Sequence, residues 1–536
     1  MMVLTSLLAA MAFGFGLGCS DDEGTPTDDL ESPVTVETII LNPKSVTQGD
    51  TIQCTAVITS SGQSGFPQVQ WSANGGSFLQ TTQSSVGWVA TDPTGVYRLT
   101  VTATNSVGSA SKSADVFVGN VNTIVGGSAG EIVLNTAGGG FYYLRSPLDP
   151  ADALFTGFVI YESTGGVGTP VVPGARPGRG YRFSAGLGHA VNTVTFPIDP
   201  LNILLPVNVW LTDLAAGTQT AITTDGAAPG STRRHQYLYP TFSPAGNWVT
   251  YEAFRPNPQA GSIDTFDVCI YDVNTQQTLN VTATHTIPGR EARRNFFPTF
   301  SSDGNWLVFI ADRVQVNQWE LFGVPISGGQ VPTDLAAVDT LTSTGGLMAE
   351  LSQSAEVVKD PRKTWNPNPA TPVLAIVGAD GALRLIQMTA GGAITTDVAM
   401  EGNVREMVWA AGGGSLAVST SSNLYLVTLG GVANHRHTAV SGDAIVDLTW
   451  SPNGDFLVYR VQRGSNSWFE LLDIAAGTNF TTSVVITPTA AVGARPDYAN
   501  VCSTASAWAA EDILYMLLFG GRTASIASVD ISGATP

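Results

Sequence analysis

The fifteen residues LYPTFSPAGNWVTYE, Leu238 to Glu252, return 58 residues later as FFPTFSSDGNWLVFI, Phe296 to Ile310. Both copies run from a short aromatic strand through a Ser-X-X-Gly-Asn turn into a second strand that opens on Trp. A chain that spells one hairpin twice at this spacing is built of repeated units, each too small to bury its own faces and therefore stacked on its neighbours. After the first copy, FDVCIYDV and QQTLNVTA supply two more strands, so the unit has four.

Weaker copies follow: WNPNPATPVLAIVG at Trp365, MVWAAGGGSLAVST around Trp409, LTWSPNGDFLVYR around Trp450 and SAWAAEDILYMLL around Trp508. Upstream, YRFSAGLGHAVNTVTF carries Phe183, and NVWLTDLAAGTQTAITT after it reads as an outer pair of strands. The anchors Phe183, Phe242, Phe300, Trp365, Trp409, Trp450 and Trp508 lie 59, 58, 65, 44, 41 and 58 residues apart. Uneven spacing suits a β-propeller, because insertions fall in loops while the four-stranded blade keeps its length. Seven anchors predict seven blades, with six or eight as alternatives, since the strands of Ile124 to Ser163 either add a blade or close the ring against the chain end. The runs FSPAG, FSSDG and WSPNG resemble the TolB-like, WD-like propeller repeat with its FSPDG core, over residues 120–536. That resemblance implies the fold and, at fold level only, protein partners in the cell envelope.

Residues 34–119 alternate apolar and polar side chains in short runs broken by turn residues, the pattern of a small β-sandwich. Cys54 in TIQCTAVI, Trp71 in VQWSA, and Asp92, Gly95 and Tyr97 in DPTGVYRL resemble a bacterial immunoglobulin-like domain. Leu99 stands where the disulfide-bonded form has its second Cys, so Cys54 is expected as a small core residue. The other cysteines, Cys19, Cys269 and Cys502, show no zinc spacing, and no disulfide framework is expected. The domain reads as a spacer, with adhesion or sugar binding as its alternative role.

The chain begins MMVLTSLLAAMAFGFGLGC, whose apolar run from Val3 to Leu17 is short for a membrane span and reads, over residues 1–18, as an export signal. GLGC resembles the lipobox of bacterial lipoproteins, which makes Cys19 the lipidated first residue of the mature chain. Residues 19–33, rich in Asp, Ser, Thr and Pro, then form an acidic tether. Together they imply a protein lipid-anchored in the bacterial cell envelope, at the periplasmic side of the outer membrane or at the cell surface.

A formal charge of −19 excludes nucleic acid as a general partner, because phosphate contacts demand a basic surface. The GxSxG string at Gly126–Gly130 lies ahead of the repeats and not in a hydrolase domain following the propeller, so the propeller-bearing serine peptidases are not matched. Oligogalacturonate lyases place clustered His on a metal in a similar propeller, whereas His189, His235, His285, His435 and His437 are scattered. The two His of NHRH are expected on opposite sides of any strand, in a Gly-rich exposed region. Asp264, Asp267 and Asp272 are expected to be solvated. The basic residues are distributed less evenly: 13 of the 24 gather ahead of the anchors. Arg176, Arg179 and Arg182 precede Phe183; Arg233 and Arg234 precede Phe242; Arg290, Arg293 and Arg294 precede Phe300. Lys359, Arg362 and Lys363 precede Trp365, Arg405 precedes Trp409, and Arg495 precedes the last blade.

In a propeller those segments lie on one face around the channel mouth, where guanidinium groups suit carboxylate, phosphate or sulfate. The competing reading pairs them with acids of neighbouring blades or lays their stems on aromatic rings. The expectation is a non-catalytic binding scaffold for an envelope protein or an anionic ligand, monomeric, with no cofactor, no metal and no catalytic residue. The alternative is an envelope-anchored or secreted carbohydrate-active enzyme, lyase or hydrolase, with its site at the channel mouth.

Overall fold

The computed structural model describes residues 32–531, interrupted at 146–157, 227–234, 256–264, 283–294, 327–338, 341–363, 475–483 and 486–505 and at shorter breaks of one to six residues. Residues 1–18, expected as an export signal, Cys19, nearly all of the expected tether and Cys502 lie outside the described residues. The described elements are 39 strands in ten sheets, an all-β protein.

The first two sheets take β1 (Thr35–Asn42), β2 (Ser45–Val46), β3 (Thr51–Thr59), β4 (Gln68–Ala73), β5 (Ser77–Phe78), β6 (Ser85–Val89), β7 (Gly95–Thr104) and β8 (Ser109–Val118). One sheet runs β1-β3-β6-β5 and the other β2-β8-β7-β4. Because successive strand residues face opposite ways, Ile52 and Cys54 on β3 and Leu99 and Val101 on β7 turn inward. They meet Trp71 and Trp88 in one shared core. Each indole N–H finds a backbone carbonyl, Trp71 on Gln83 at 2.8 Å and Trp88 on Gly75 at 3.0 Å, so the polar end of each ring is satisfied. The Asp92 carboxylate accepts the Gly76 N–H. The Tyr97 ring lies over Gly75, where a Cβ would collide with it.

The other eight sheets follow one another along the chain, over residues 129–170, 178–221, 236–280, 295–340, 373–398, 406–438, 444–485 and 506–530. The last of them takes its outer strand from the far end of the repeat: β9 (Val121–Val125) pairs antiparallel with β39 (Thr523–Asp530). The first strand of the first of these sheets, β10 (Ala129–Leu134), lies against the eighth sheet, which closes the ring. The fold is a β-propeller. Both alternatives for the stretch from Ile124 to Ser163 therefore occur, one part sealing the ring and the rest forming a sheet. The seven anchors fell one short of the sheets described because this sheet, opening on AGEIVL and FYYLR, lacks the aromatic-Ser-X-X-Gly phrase.

The third sheet shows why the phrase repeats. β18 (Gln236–Phe242) and β19 (Trp248–Arg255) are joined by a turn in which Ser243 N–H bonds to Trp248 O at 2.9 Å. Gly246 takes φ +73°, a left-handed conformation that glycine reaches without steric cost. The Ser243 hydroxyl accepts the Trp248 N–H, a donor the turn leaves over. Ser184, Ser301 and Ser451 do the same for His189, Trp306 and Phe456. The pairing of anchor with second strand is identical each time: Phe183↔Ala190, Phe242↔Val249, Phe300↔Leu307, Trp409↔Leu416 and Trp450↔Leu457. Each unit buries its faces against the next, as where Trp248 stacks on Phe300 at 6.1 Å. Burial of such a side chain contributes about 1.5–3 kcal/mol.

Candidate functional site

Four of the strands nearest the propeller axis share a second irregularity, three residues before the anchor. In β14 (Gly178–Phe183), β18, β22 (Asn295–Phe300) and β33 (Ala444–Trp450) the register slips there. The residue at the slip has positive φ: Gly180 at 62°, Tyr239 at 49°, Phe297 at 53° and Asp447 at 56°. For a side chain other than glycine this costs roughly 1–2 kcal/mol, so the surroundings must hold it.

Two carboxylates do so across sheet boundaries. Glu252 on β19, 1% exposed, accepts the Phe297 N–H at 2.5 Å. Glu406, on β29 (Glu406–Trp409), accepts the Asp447 N–H at 2.5 Å. Asp447 in turn takes the Nε–H of Arg460 at 2.5 Å, with both side chains almost wholly buried. Such a pair loses much of its attraction to desolvation and is best understood as a device that fixes geometry.

At the leading end of β18 a smaller cluster closes the base of the segment that carries Arg233 and Arg234. Asp225 meets His235 Nδ1 at 3.1 Å and accepts the Tyr237 O–H at 2.5 Å. Burial would raise the Asp225 pKa, but the hydrogen bonds from Tyr237 and His235 outweigh it and leave the carboxyl below its usual value. Burial, then the bond to Asp225, pushes the Tyr237 phenol up.

Of the basic residues expected at the mouth, Arg182 on β14 is half-buried and donates to the Tyr181 carbonyl at 2.8 Å. Arg179 pairs through its backbone with Thr193. Arg405 is exposed immediately before β29. The Arg176 guanidinium lies over the Trp210 ring at 5.1 Å, a cation–π contact that engages the charged group itself where the competing reading laid only the stem on a ring. Arg233, Arg234, Arg293, Arg294, Arg362, Lys363 and Arg495 lie outside the described residues. Arg255, not singled out in the sequence, is exposed where β19 ends, beside the start of β18.

Asp267, expected in solvent, is wholly buried and accepts from Asn280 Nδ2 at 2.9 Å and Thr282 Oγ1 at 3.1 Å. Asp272 closes a turn by accepting the N–H groups of Asn274 and Thr275. Asp264 lies outside the described residues. The NHRH run is a strand, β32 (Ala433–Thr438), and not a Gly-rich loop, with Asn434 and His435 exposed as expected. Residues two apart on a strand share a face, yet a register slip pairs His437 with Leu424 and His435 with Tyr425, turning the two His to opposite sides. His437 sits 3.8 Å from Glu470, which also accepts from Tyr459 and Trp468. Among the described residues no group of three His, Cys, Asp or Glu is arranged to hold a metal.

Fold and site together define a β-propeller whose buried acids tie one blade to the next. No protein-family model matches the chain, and no curated protein matches it by sequence. Among solved structures it is similar to a dipeptidyl peptidase 4 from Porphyromonas gingivalis, at 12% identity and TM-score 0.47, over 75% of this chain and 58% of that one. It is also similar to a puromycin hydrolase, at 14% identity and TM-score 0.42, over 76% of this chain and 53% of that one. An oligogalacturonate lyase from Vibrio parahaemolyticus matches at 10% identity and TM-score 0.39, over 77% and 95%. The chain thus spans little more than half the length of the first two, and these likenesses concern the fold alone.

Proposed function

We propose that the protein is a binding scaffold of the bacterial cell envelope. In this reading it is a lipoprotein held at Cys19, residues 34–119 are an immunoglobulin-like spacer, and a TolB-like propeller presents one face to a protein partner or an anionic ligand. The observation that carries the reading is the commitment of Glu252, Glu406 and Asp447 to neighbouring N–H groups and to Arg460. Acids so engaged hold blades together, and a glycosidic acid or base would instead have to face its substrate. The exposed Arg405 and the segments bearing Arg233, Arg234, Arg293 and Arg294 precede inner strands, and the exposed Arg255 ends β19 beside the start of β18.

Crosslinked pull-down from envelope fractions, with palmitate labelling of wild type and Cys19→Ser, tests both halves. Label should vanish in Cys19→Ser, and the combined Arg→Ser changes at 233, 234, 293 and 294 should cut recovery of the captured partner about tenfold or more. An unlabelled wild type overturns the anchor, and undiminished recovery overturns the binding face. Depolymerisation of a polysaccharide by the purified chain would replace the scaffold with the enzyme.

A further inference from the structure

The sheet β2-β8-β7-β4 has an outer face that the propeller reading leaves unused. Strand pairing sets its outward side chains in rows. Asn74, Arg98 and Asp115 form one row, Ser72, Thr100 and Ser113 the next, and Gln70, Thr102 and Ser111 a third. The hydroxyls are linked across strands, Thr100 to Ser113 and Thr102 to Ser111, each at 2.8 Å. Lys112, between two of these serines, reaches the other way to the Glu37 carbonyl.

The first row borders a depression of about 330 Å³ whose lining includes Ser72, Asn74, Val96, Thr100 and the Arg98 and Asp115 pair. Its polar groups are fixed in place. Arg98 meets Asp115 through Nε at 2.8 Å and Nη2 at 2.9 Å, with its side chain 55% exposed. Asn74 Oδ1 accepts the Arg98 N–H at 2.7 Å, which orients its Nδ2 as a donor. Beyond Asn74, Gly75 and Gly76 let the chain settle directly on the Tyr97 and Trp88 rings, where any Cβ would collide.

We infer that this depression and the rows beside it bind a neutral oligosaccharide. Arg98 and Asp115 cancel in charge, so the site offers no net attraction to an anion or a cation. What it offers is a rigid set of alternating donors and acceptors: the remaining guanidinium N–H groups, the carboxylate lone pairs, an amide and a hydroxyl ladder. Adjacent sugar hydroxyls, each both donor and acceptor, complement that set, and charge-assisted bonds to Arg98 and Asp115 are the strong ones. Preorganisation lowers the ordering cost of binding. The inference stands independently of the propeller's role.

The test is calorimetric titration of the purified full chain with cellohexaose, mannohexaose, xylohexaose and maltohexaose, with trigalacturonate as the anionic comparison. At least one neutral hexasaccharide should bind, and Arg98→Ala and Asn74→Ala should each weaken it about tenfold or more. Arg98→Lys keeps the charge and loses the paired geometry, so it should weaken binding to a similar degree. Thr102→Arg, at a half-buried strand position whose side chain faces away from the core, should block the rows. Failure of all four neutral sugars to bind overturns the inference. So does affinity unchanged in Thr102→Arg, or stronger binding of trigalacturonate that Arg98→Lys preserves.

Discussion

Glu252 places its Oε1 2.5 Å from the N–H of Phe297, 45 positions further along the chain and on the next sheet. The amide it takes belongs to a residue at φ +53°, where the inner strand has slipped register and its ladder has lost a partner. Glu406 does the same for Asp447 at φ +56°. The acids therefore act as clasps that set where the following inner strand bends, and blade order is reinforced by polar geometry as well as by the apolar wedge.

Removing a clasp should cost more than an ordinary hydrogen bond, because the amide is left buried and unsatisfied. Glu252→Ala is expected to lower stability by about 2–3 kcal/mol and Glu252→Gln, which keeps an acceptor, by about 1 kcal/mol. Urea denaturation of the two variants beside wild type measures this. A midpoint for Glu252→Ala equivalent to a loss under about 0.5 kcal/mol would remove the clasp from the account.

The Asp225 cluster predicts an acid limb. A carboxyl whose folded pKa is depressed contributes stability that is complete above its unfolded value of about 3.9 and is lost as pH falls through the folded one. Bonds from Tyr237 and His235 supply that depression against the opposing effect of burial. The stability gap between wild type and Asp225→Asn should thus be level above about pH 5 and close below about pH 4. Tyr237 works in the opposite sense: its raised pKa favours the folded state below about pH 10 and forfeits that as pH climbs. A gap that persists unchanged to pH 3 would show that the cluster contributes nothing through ionisation.

Both described cysteines should be inert in the folded chain. Burial pushes Cys54 and Cys269 up to about 12 each, so the thiolate that alkylating agents require is scarce at neutral pH. Iodoacetamide followed by peptide mass spectrometry should find neither modified in native buffer and both modified in denaturant. Native labelling of either at the denatured rate would mean that its sheet opens far more readily than its burial implies.

The fold was legible in the sequence where one phrase carries its own mechanics: an aromatic to fill the wedge, Ser to take the stranded N–H of Trp248, and Gly246 at positive φ. The sheet of residues 129–170 was left as one of two alternatives because its strands reach the same architecture without that phrase. The site was far less legible. Asp267 and Asp272 look alike in sequence, yet one is wholly buried and the other caps a turn, and only the partners Asn280 and Thr282 decide between them. Glu252 sits inside the repeated phrase itself, where the second copy has Ile310, and that charged residue in place of an apolar one on a strand was the available signal. Its partner amide is a backbone group, which no sequence pattern marks.

The ring should depend on the strand that seals it. β39 pairs with β9 through Ile526↔Val125, Ala527↔Thr123, Ser528↔Asn122 and Val529↔Val121, so the eighth sheet draws one edge from the opposite end of the repeat. A propeller sheet is stable only against its neighbours. If the seal is lost, the first and eighth sheets each expose an apolar face at their junction. Replacing Val121–Val125 by a Gly-Ser run of equal length removes the side chains and favours disorder in that strand while leaving chain connectivity intact. The main unfolding transition should then fall by on the order of 5–10 °C and broaden as the end sheets melt ahead of the rest. Calorimetry reads both effects, and a peptide of residues 119–127 added in excess should restore part of the loss by mass action. A single transition at the wild-type temperature would show that the apolar contact between the first and eighth sheets closes the ring without β9.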